Sequence, residues 1–132
     1  MIRLSKRTDY GLMAIRHLGL MPEGALLSAR EIAAEYSIPP ALMAKLLQRL
    51  ARKGLVASHH GTKGGYALSR PSSQITLRDV IEAIEGPVAV TECLDQTKKA
   101  CAQYCVCSVQ RPLLLVQRRI VEVLGRTTVG DL

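Results

Sequence analysis

Residues 28–70 read SAREIAAEYSIPPALMAKLLQRLARKGLVASHHGTKGGYALSR. Ser28 followed three positions on by Glu31 is a capping box: the hydroxyl takes an orphan amide of the first turn and the glutamate reaches back. It opens a short helix over residues 29–36 with Ile32, Ala33 and Tyr36 inward. Ser37-Ile38-Pro39-Pro40 makes a turn, and its prolines suit the first turn of a second helix, where a missing N–H costs nothing. That helix spans 40–53, with Leu42, Leu46 and Leu50 burying one face, Met43 and Leu47 flanking it, and Gly54 as the stop. Two short helices across a tight turn form a helix–turn–helix, about residues 28–53. The second helix carries Lys45, Gln48, Arg49, Arg52 and Lys53 on its polar sides, as a helix seated in a major groove requires. Residues 55–60 and 65–70 then read as two short strands around Gly61-Thr62-Lys63-Gly64. The glycines permit positive φ and close approach to a phosphate, and Lys63 adds charge there. A basic hairpin directly after such a helix is a wing, about residues 55–70.

Working outward, Leu12, Ile15 and Leu18 give helical spacing over 8–20, ended by Met21-Pro22-Glu23-Gly24. Downstream, Pro71–Gln74 is a turn, and Thr76 caps a helix over 77–85 with Asp79 in its first turn and Val80, Ile81 and Ile84 buried. Gly86-Pro87 ends it. Residues 88–107 read as loop and hold every cysteine. From 108 to 124 a last helical stripe appears in Leu113, Val116, Ile120 and Val123/Leu124, widened by Leu114, Leu115 and Val121. So wide a stripe on a terminal helix predicts a homodimer interface, and two-fold symmetry would match a palindromic operator in double-stranded DNA. The alternative is a helix folded back on its own domain. The expected fold class is therefore mainly α: a winged helix–turn–helix with a small β-hairpin wing and a long C-terminal dimerisation helix. The expected division is 1–90 for the DNA-binding region and 91–132 for the cysteine loop and dimerisation helix.

Charge supports that division. The chain has 132 residues and a formal net charge of +7. Residues 1–70 hold eleven Lys/Arg against four acids, a net of +7, whereas residues 71–132 hold seven of each. Only one half is built to face a polyanion. The composition has no Phe or Trp, which disfavours the base-stacking platforms of single-strand binders. The N-terminus is charged from its third residue and lacks the apolar stretch of a signal peptide, and no run is long enough to span a membrane. A cytoplasmic protein with no membrane partner is expected. With no nucleophile–base pair, phosphate-binding glycine loop or paired acids, an enzyme is not expected. His59 and His60 are adjacent in a strand and point to opposite faces, so they read as wing surface residues; His17 reads as packing.

Cys93, Cys101, Cys105 and Cys107 give C-x7-C-x3-C-x-C. In a reducing compartment such a group binds metal or performs redox chemistry rather than forming structural disulfides. The absence of a C-x2-C pair disfavours a zinc ribbon or finger. An iron–sulfur cluster, zinc held by four thiolates and a redox thiol pair all remain compatible with the spacing.

The chain resembles the Rrf2 family of winged-helix regulators, to which the iron–sulfur regulators IscR and NsrR belong. The matching segments are Leu4-Ser5-Lys6-Arg7-Thr8-Asp9-Tyr10, Leu50-Ala51-Arg52-Lys53-Gly54-Leu55-Val56, Gly61-Thr62-Lys63-Gly64-Gly65-Tyr66, Glu82-Ala83-Ile84-Glu85-Gly86-Pro87, the cysteine loop, and Thr128-Val129-Gly130-Asp131-Leu132. Within the family it is most similar to regulators of the SUF iron–sulfur assembly operon. The resemblance implies a cluster, most simply [2Fe–2S], held by Cys93, Cys101 and Cys107, with Asp9 of the partner subunit as fourth ligand and Cys105 as the alternative. Some members use a histidine three residues after the last cysteine; Gln110 stands there. The candidate DNA-facing residues are Ser28, Arg30, Pro40, Ala41, Lys45 and Arg49 on the helix–turn–helix, and His60, Thr62 and Lys63 on the wing. IscR-type members place a base-reading glutamate where this chain has Ala44 and a minor-groove arginine where it has His60, so the docking mode carries over but the operator sequence does not. The implied function is a repressor of iron–sulfur assembly or related iron and redox genes. The alternatives are a cluster-free thiol- or zinc-based redox sensor and a nitric-oxide sensor of the same family.

Overall fold

The computed structural model describes residues 3–91, 94 and 108–132. Helix α1 (Lys6–Leu20) starts at Ser5, whose hydroxyl accepts the Thr8 amide at 3.2 Å. Helix α2 (Ala29–Glu35) opens on the expected capping box: Ser28 Oγ accepts from the Glu31 amide at 3.1 Å, and the Ser28 amide donates to Glu31 Oε1 at 3.4 Å. Helix α3 (Pro40–Arg52) has proline at its first position. Strands β1 (Val56–His59) and β2 (Gly65–Leu68) pair antiparallel, with Val56 opposite Leu68 and His59 opposite Gly65. Helix α4 (Leu77–Glu85) is capped by Thr76 and Asp79, and helix α5 (Gln110–Arg126) follows the cysteine segment. No described helix is long and apolar enough to cross a membrane.

The core lies where α1, α2, α3 and α4 converge over the hairpin. One expectation is corrected there. Met43 and Leu47 are not flanking residues; together with Leu46 and Leu50 they are completely buried, while Leu42 is only half-buried. Helix α3 is enclosed by α1, α2, α4 and β1, so its apolar face must be broad and is centred between two ridges rather than on one. His17 packs, as expected, but not alone: its Nδ1 lies 2.9 Å from the Tyr36 hydroxyl, and the two rings meet edge-to-face at 5.3 Å. The pair fastens α1 to the end of α2.

Two long-range ties complete the unit. Leu27 forms an isolated bridge with Tyr66, its amide donating to Tyr66 O at 3.1 Å and its carbonyl accepting the Tyr66 amide at 2.7 Å. The hairpin thus has a third, one-residue edge that seats it on the helices. The end of the chain also returns to the core. The Leu77 amide donates to Thr127 O at 2.9 Å, and the Val129 amide to Ile75 O at 2.8 Å. Val129 is 2% exposed among the core residues, so the residues after α5 pack with the first ninety.

Thr128 and Asp131 cap the turn that carries Val129. Thr128 N–H donates to the Asp131 carboxylate at 2.9 Å. That bond, aided by the Thr128 hydroxyl and opposed slightly by desolvation, holds the Asp131 carboxyl below its ordinary value. A carboxyl with a depressed folded-state pKa contributes its stabilisation above the unfolded pKa and loses it as the pH falls through the folded one. The Thr128 amide should therefore stay protected from hydrogen exchange into acid and lose protection only below the ordinary carboxylate range. Asp131→Asn should remove that pH dependence; protection equally pH-dependent in the variant would rule the carboxylate out.

Helix α5 lies on α4 and is tied to the preceding segment by the Val90 amide, which donates to Gln117 Oε1 at 3.0 Å. Of the expected stripe, Leu113, Ile120 and Leu124 are half-buried. Leu115, Val116 and Val123 are 52%, 44% and 63% exposed. Packing against its own fold thus covers only part of the apolar surface of α5.

Candidate nucleic-acid interface

The buried face of α3 dictates the opposite one. At 100° per residue, Ala41, Lys45, Gln48 and Arg52 fall within a sector about 60° wide, diametrically opposite the Met43–Leu46–Leu47–Leu50 face. All four are exposed. Pro40 and Arg30 are exposed as well, and Ala44 is half-buried at the edge of this row. Sequence reading named Ala41 and Lys45 as DNA-facing but not Gln48 and Arg52. The signal that finds them is the true centre of the buried face, which depends on knowing that α3 is enclosed on several sides.

Two other expected residues have tasks inside the fold. The Ser28 hydroxyl is engaged in capping α2. Arg49 directs Nη1 at the carbonyl oxygen of Ile84, 2.7 Å away, in the last turn of α4.

The wing places His59, His60, Thr62 and Lys63 in solvent. Its tip is closed by the Gly64 amide donating to Gly61 O at 3.0 Å, and Gly61 has φ +121°, a conformation that side chains with a Cβ rarely adopt. His60 lies just beyond the last paired position of β1, at the start of the tip.

Electrostatically the surface is unneutralised. The ion pairs among the described residues are Arg70–Asp79 at 3.1 Å and Arg78–Glu82 at 2.9 Å. Lys45, Arg52 and Lys63 have no acidic partner among the described residues, so their positive field is available to a polyanion.

Of the five candidate cluster ligands, Asp9 alone is among the described residues; Cys93, Cys101, Cys105 and Cys107 lie outside them. Asp9 is exposed in the first turn of α1. It borders a shallow depression shared with Arg3, Lys6 and Glu85. Its carboxylate makes no hydrogen bond or ion pair to a described residue. It has the chemistry of a hard oxygen ligand and is open to a second molecule.

Known proteins share this arrangement. A 34% identical protein of Rhizobium meliloti (strain 1021), named protein aau3, aligns over 131 residues, 99% of this chain and 84% of its own length. An HTH-type transcriptional regulator of Mycobacterium tuberculosis (strain ATCC 25618 / H37Rv), Rv1287, is 35% identical over 88 residues, which are 67% of this chain and 55% of that protein. Among solved structures, CymR, the global cysteine regulator of B. subtilis, superposes with a TM-score of 0.77 at 27% identity, covering 99% of this chain and 95% of that one. IscR of T. potens superposes with a TM-score of 0.73 at 26% identity, covering 98% and 85%. The family described as "Rrf2: Iron-dependent Transcriptional regulator" matches residues 4–132. With the helix–turn–helix, the seated wing and the family match all falling on one nearly complete chain, this protein belongs to the Rrf2 family of transcriptional regulators.

Proposed function

We propose that this chain is a homodimeric, DNA-binding repressor whose operator affinity is set by an iron–sulfur cluster, and that it controls iron–sulfur assembly or related iron and redox genes. The observation that carries the DNA-binding part is the exposed row on α3, continued by Lys63 on the wing and free of acidic partners. Lys45 and Arg52, with Ala41, Pro40 and Gln48, would enter or flank the major groove; Arg30, His60, Thr62 and Lys63 would meet the backbone beside it. Two copies related by a two-fold axis would read two half-sites of a palindrome, joined through the uncovered face of α5.

The cluster reading is supported by three things: the four cysteines within fifteen positions, the exposed Asp9 carboxylate, and the likeness to IscR. Cys93, Cys101 and Cys107 would be the thiolate ligands, with Asp9 of a second copy completing the set or Cys105 in its place. A [2Fe–2S] group held by three thiolates and one oxygen is labile, which is the chemistry a sensor needs. The chain's own contribution is mechanical: Val90 and Gln117 join the segment before the cysteines to α5, so a change in that segment alters how α5 and the winged region sit relative to each other.

The deciding experiment is anaerobic purification with a visible spectrum and iron and sulfide assays, followed by duplex binding before and after cluster loss. The expected result is a coloured protein with about two irons and two sulfides per chain and a change in affinity when they are removed. A colourless, iron-free protein whose affinity responds to thiol oxidation or to zinc would replace the cluster with thiol or zinc chemistry. The wing is tested separately. Lys63→Gln should weaken binding similarly across DNA sequences and flatten the plot of log affinity against log salt by about 0.9; an unchanged slope removes Lys63 from the phosphate contacts.

A further inference from the structure

Arg49 lies on the DNA-binding helix, yet its guanidinium is directed inward. Its Nη1 donates to Ile84 O at 2.7 Å. That carbonyl belongs to the last turn of α4, where carbonyls lack partners within the helix. Gly86 (φ +87°) ends α4 by donating to Glu82 O at 3.0 Å, which leaves Ile84 O to a donor from elsewhere. A cation at a helix C-terminus is also favoured by the helix dipole. Arg49 therefore serves as a cap for α4, supplied by α3.

The position of this cap gives it consequence. Immediately after it the chain passes through Gly86-Pro87 to Val90, which is tied to Gln117 of α5. The other end of α4 is tied to Thr127, just beyond α5, through the Leu77 amide. Helix α4 is thus held at its start by the end of α5. At its finish it is held by the DNA-binding helix, beside the strand that leads to the cysteines.

We propose that Arg49 is a positioning residue rather than a phosphate ligand. Its bond to the Ile84 carbonyl fixes α3 against the end of α4 and is the contact through which displacement of residues 85–91 reaches the DNA-binding helix. The proposal rests on the DNA-binding reading above and replaces the direct DNA contact that the sequence alone assigned to Arg49.

The test uses the full-length chain and a duplex that the parent protein selects from a random-sequence pool. If the parent binds no duplex in a salt-dependent way, the DNA-binding reading fails before Arg49 is reached. With binding established, Arg49→Met should lower affinity about tenfold while leaving the salt slope unchanged, because no phosphate contact is lost. Hydrogen exchange should rise in residues 84–91 of the same variant. A slope lower by about 0.9 makes Arg49 a phosphate contact and overturns the proposal. So does an unchanged affinity accompanied only by a lower melting temperature, which would make the bond merely structural. A measurement on the parent guards against a variant that does not fold. The Arg49 guanidinium N–H resonances should exchange slowly with water and stay in place when duplex is added; a large shift on adding duplex overturns the assignment.

Discussion

Gly65→Ala should cost about 3 kcal/mol or more and unseat the wing. A Cβ at this position would lie 2.8 Å from both the carbonyl carbon and the carbonyl oxygen of Leu27. These are backbone atoms, which cannot rotate aside as a side-chain terminus can. The backbone at Gly65 also has φ +157°, so the substitution meets a conformational penalty together with a collision. Relief requires the first residue of β2 to move away from Leu27, which breaks the two hydrogen bonds of the Leu27–Tyr66 bridge. Gly54 is the internal control. It has φ +75° with nothing within 4 Å of an added Cβ, so Gly54→Ala should cost only about 1 kcal/mol, from strain alone. Denaturant titration of both variants decides the matter: if Gly65→Ala costs no more than Gly54→Ala, the wing is not seated on Leu27. Because the displaced element carries Lys63, DNA affinity should fall with it.

Val123→Glu should convert a dimer into a folded monomer. Val123 is 63% exposed on α5, and no core residue depends on its side chain, so the substitution leaves the interior of one subunit untouched. In a two-fold interface the change occurs twice and places two carboxylates opposite an apolar surface, where leaving them charged and unpaired is costly. Sedimentation or light scattering at micromolar concentration should show the molar mass halved with the far-ultraviolet circular dichroism retained. Affinity for a palindromic duplex should fall by about two orders of magnitude, since the second half-site no longer benefits from linkage to the first. An unchanged mass would mean that α5 joins no second copy and that its apolar residues serve another purpose.

The elements that sequence reading located share a physical property: each is specified by neighbours a few residues apart. Ser28 and Glu31 are three apart and cap α2; Thr76 and Asp79 do the same for α4; Pro40 and Gly54 bracket α3; the Gly-Thr-Lys-Gly tip closes between paired strands. Local hydrogen bonding and backbone permissiveness suffice for all of these. The features that escaped are single contacts between distant segments. Nothing periodic surrounds Leu27 to announce a bridge to Tyr66, and nothing near Val129 marks it as a core residue. The Arg49–Ile84 bond escaped for a related reason: a basic residue on a helix polar side looks the same whether it serves a phosphate or a carbonyl. The displaced buried face of α3 had a different origin. A one-sided stripe is the simplest pattern for an amphipathic helix, and the number of helices enclosing α3 becomes known only from the tertiary arrangement. For the candidate site, exposure and the missing acidic partners were implied by the charge imbalance of the first seventy residues. The four cysteine positions rest on the sequence and the family likeness, since they lie outside the described residues.

The return of the chain end to Ile75 has a consequence for the order in which this protein folds. Val129 belongs to the same core as Ile15 and Leu46, yet it is among the last residues that the ribosome supplies. Its contact with Ile75 closes a loop of more than fifty residues that contains every cysteine. Closing such a loop carries an entropic cost that local helix contacts do not. The winged region should therefore reach full stability only after the cysteine segment and α5 have been synthesised and folded back. A nascent chain halted before residue 127 would hold the helix–turn–helix in an incompletely closed state, so competence to bind DNA arrives together with the portion of the chain proposed to control it.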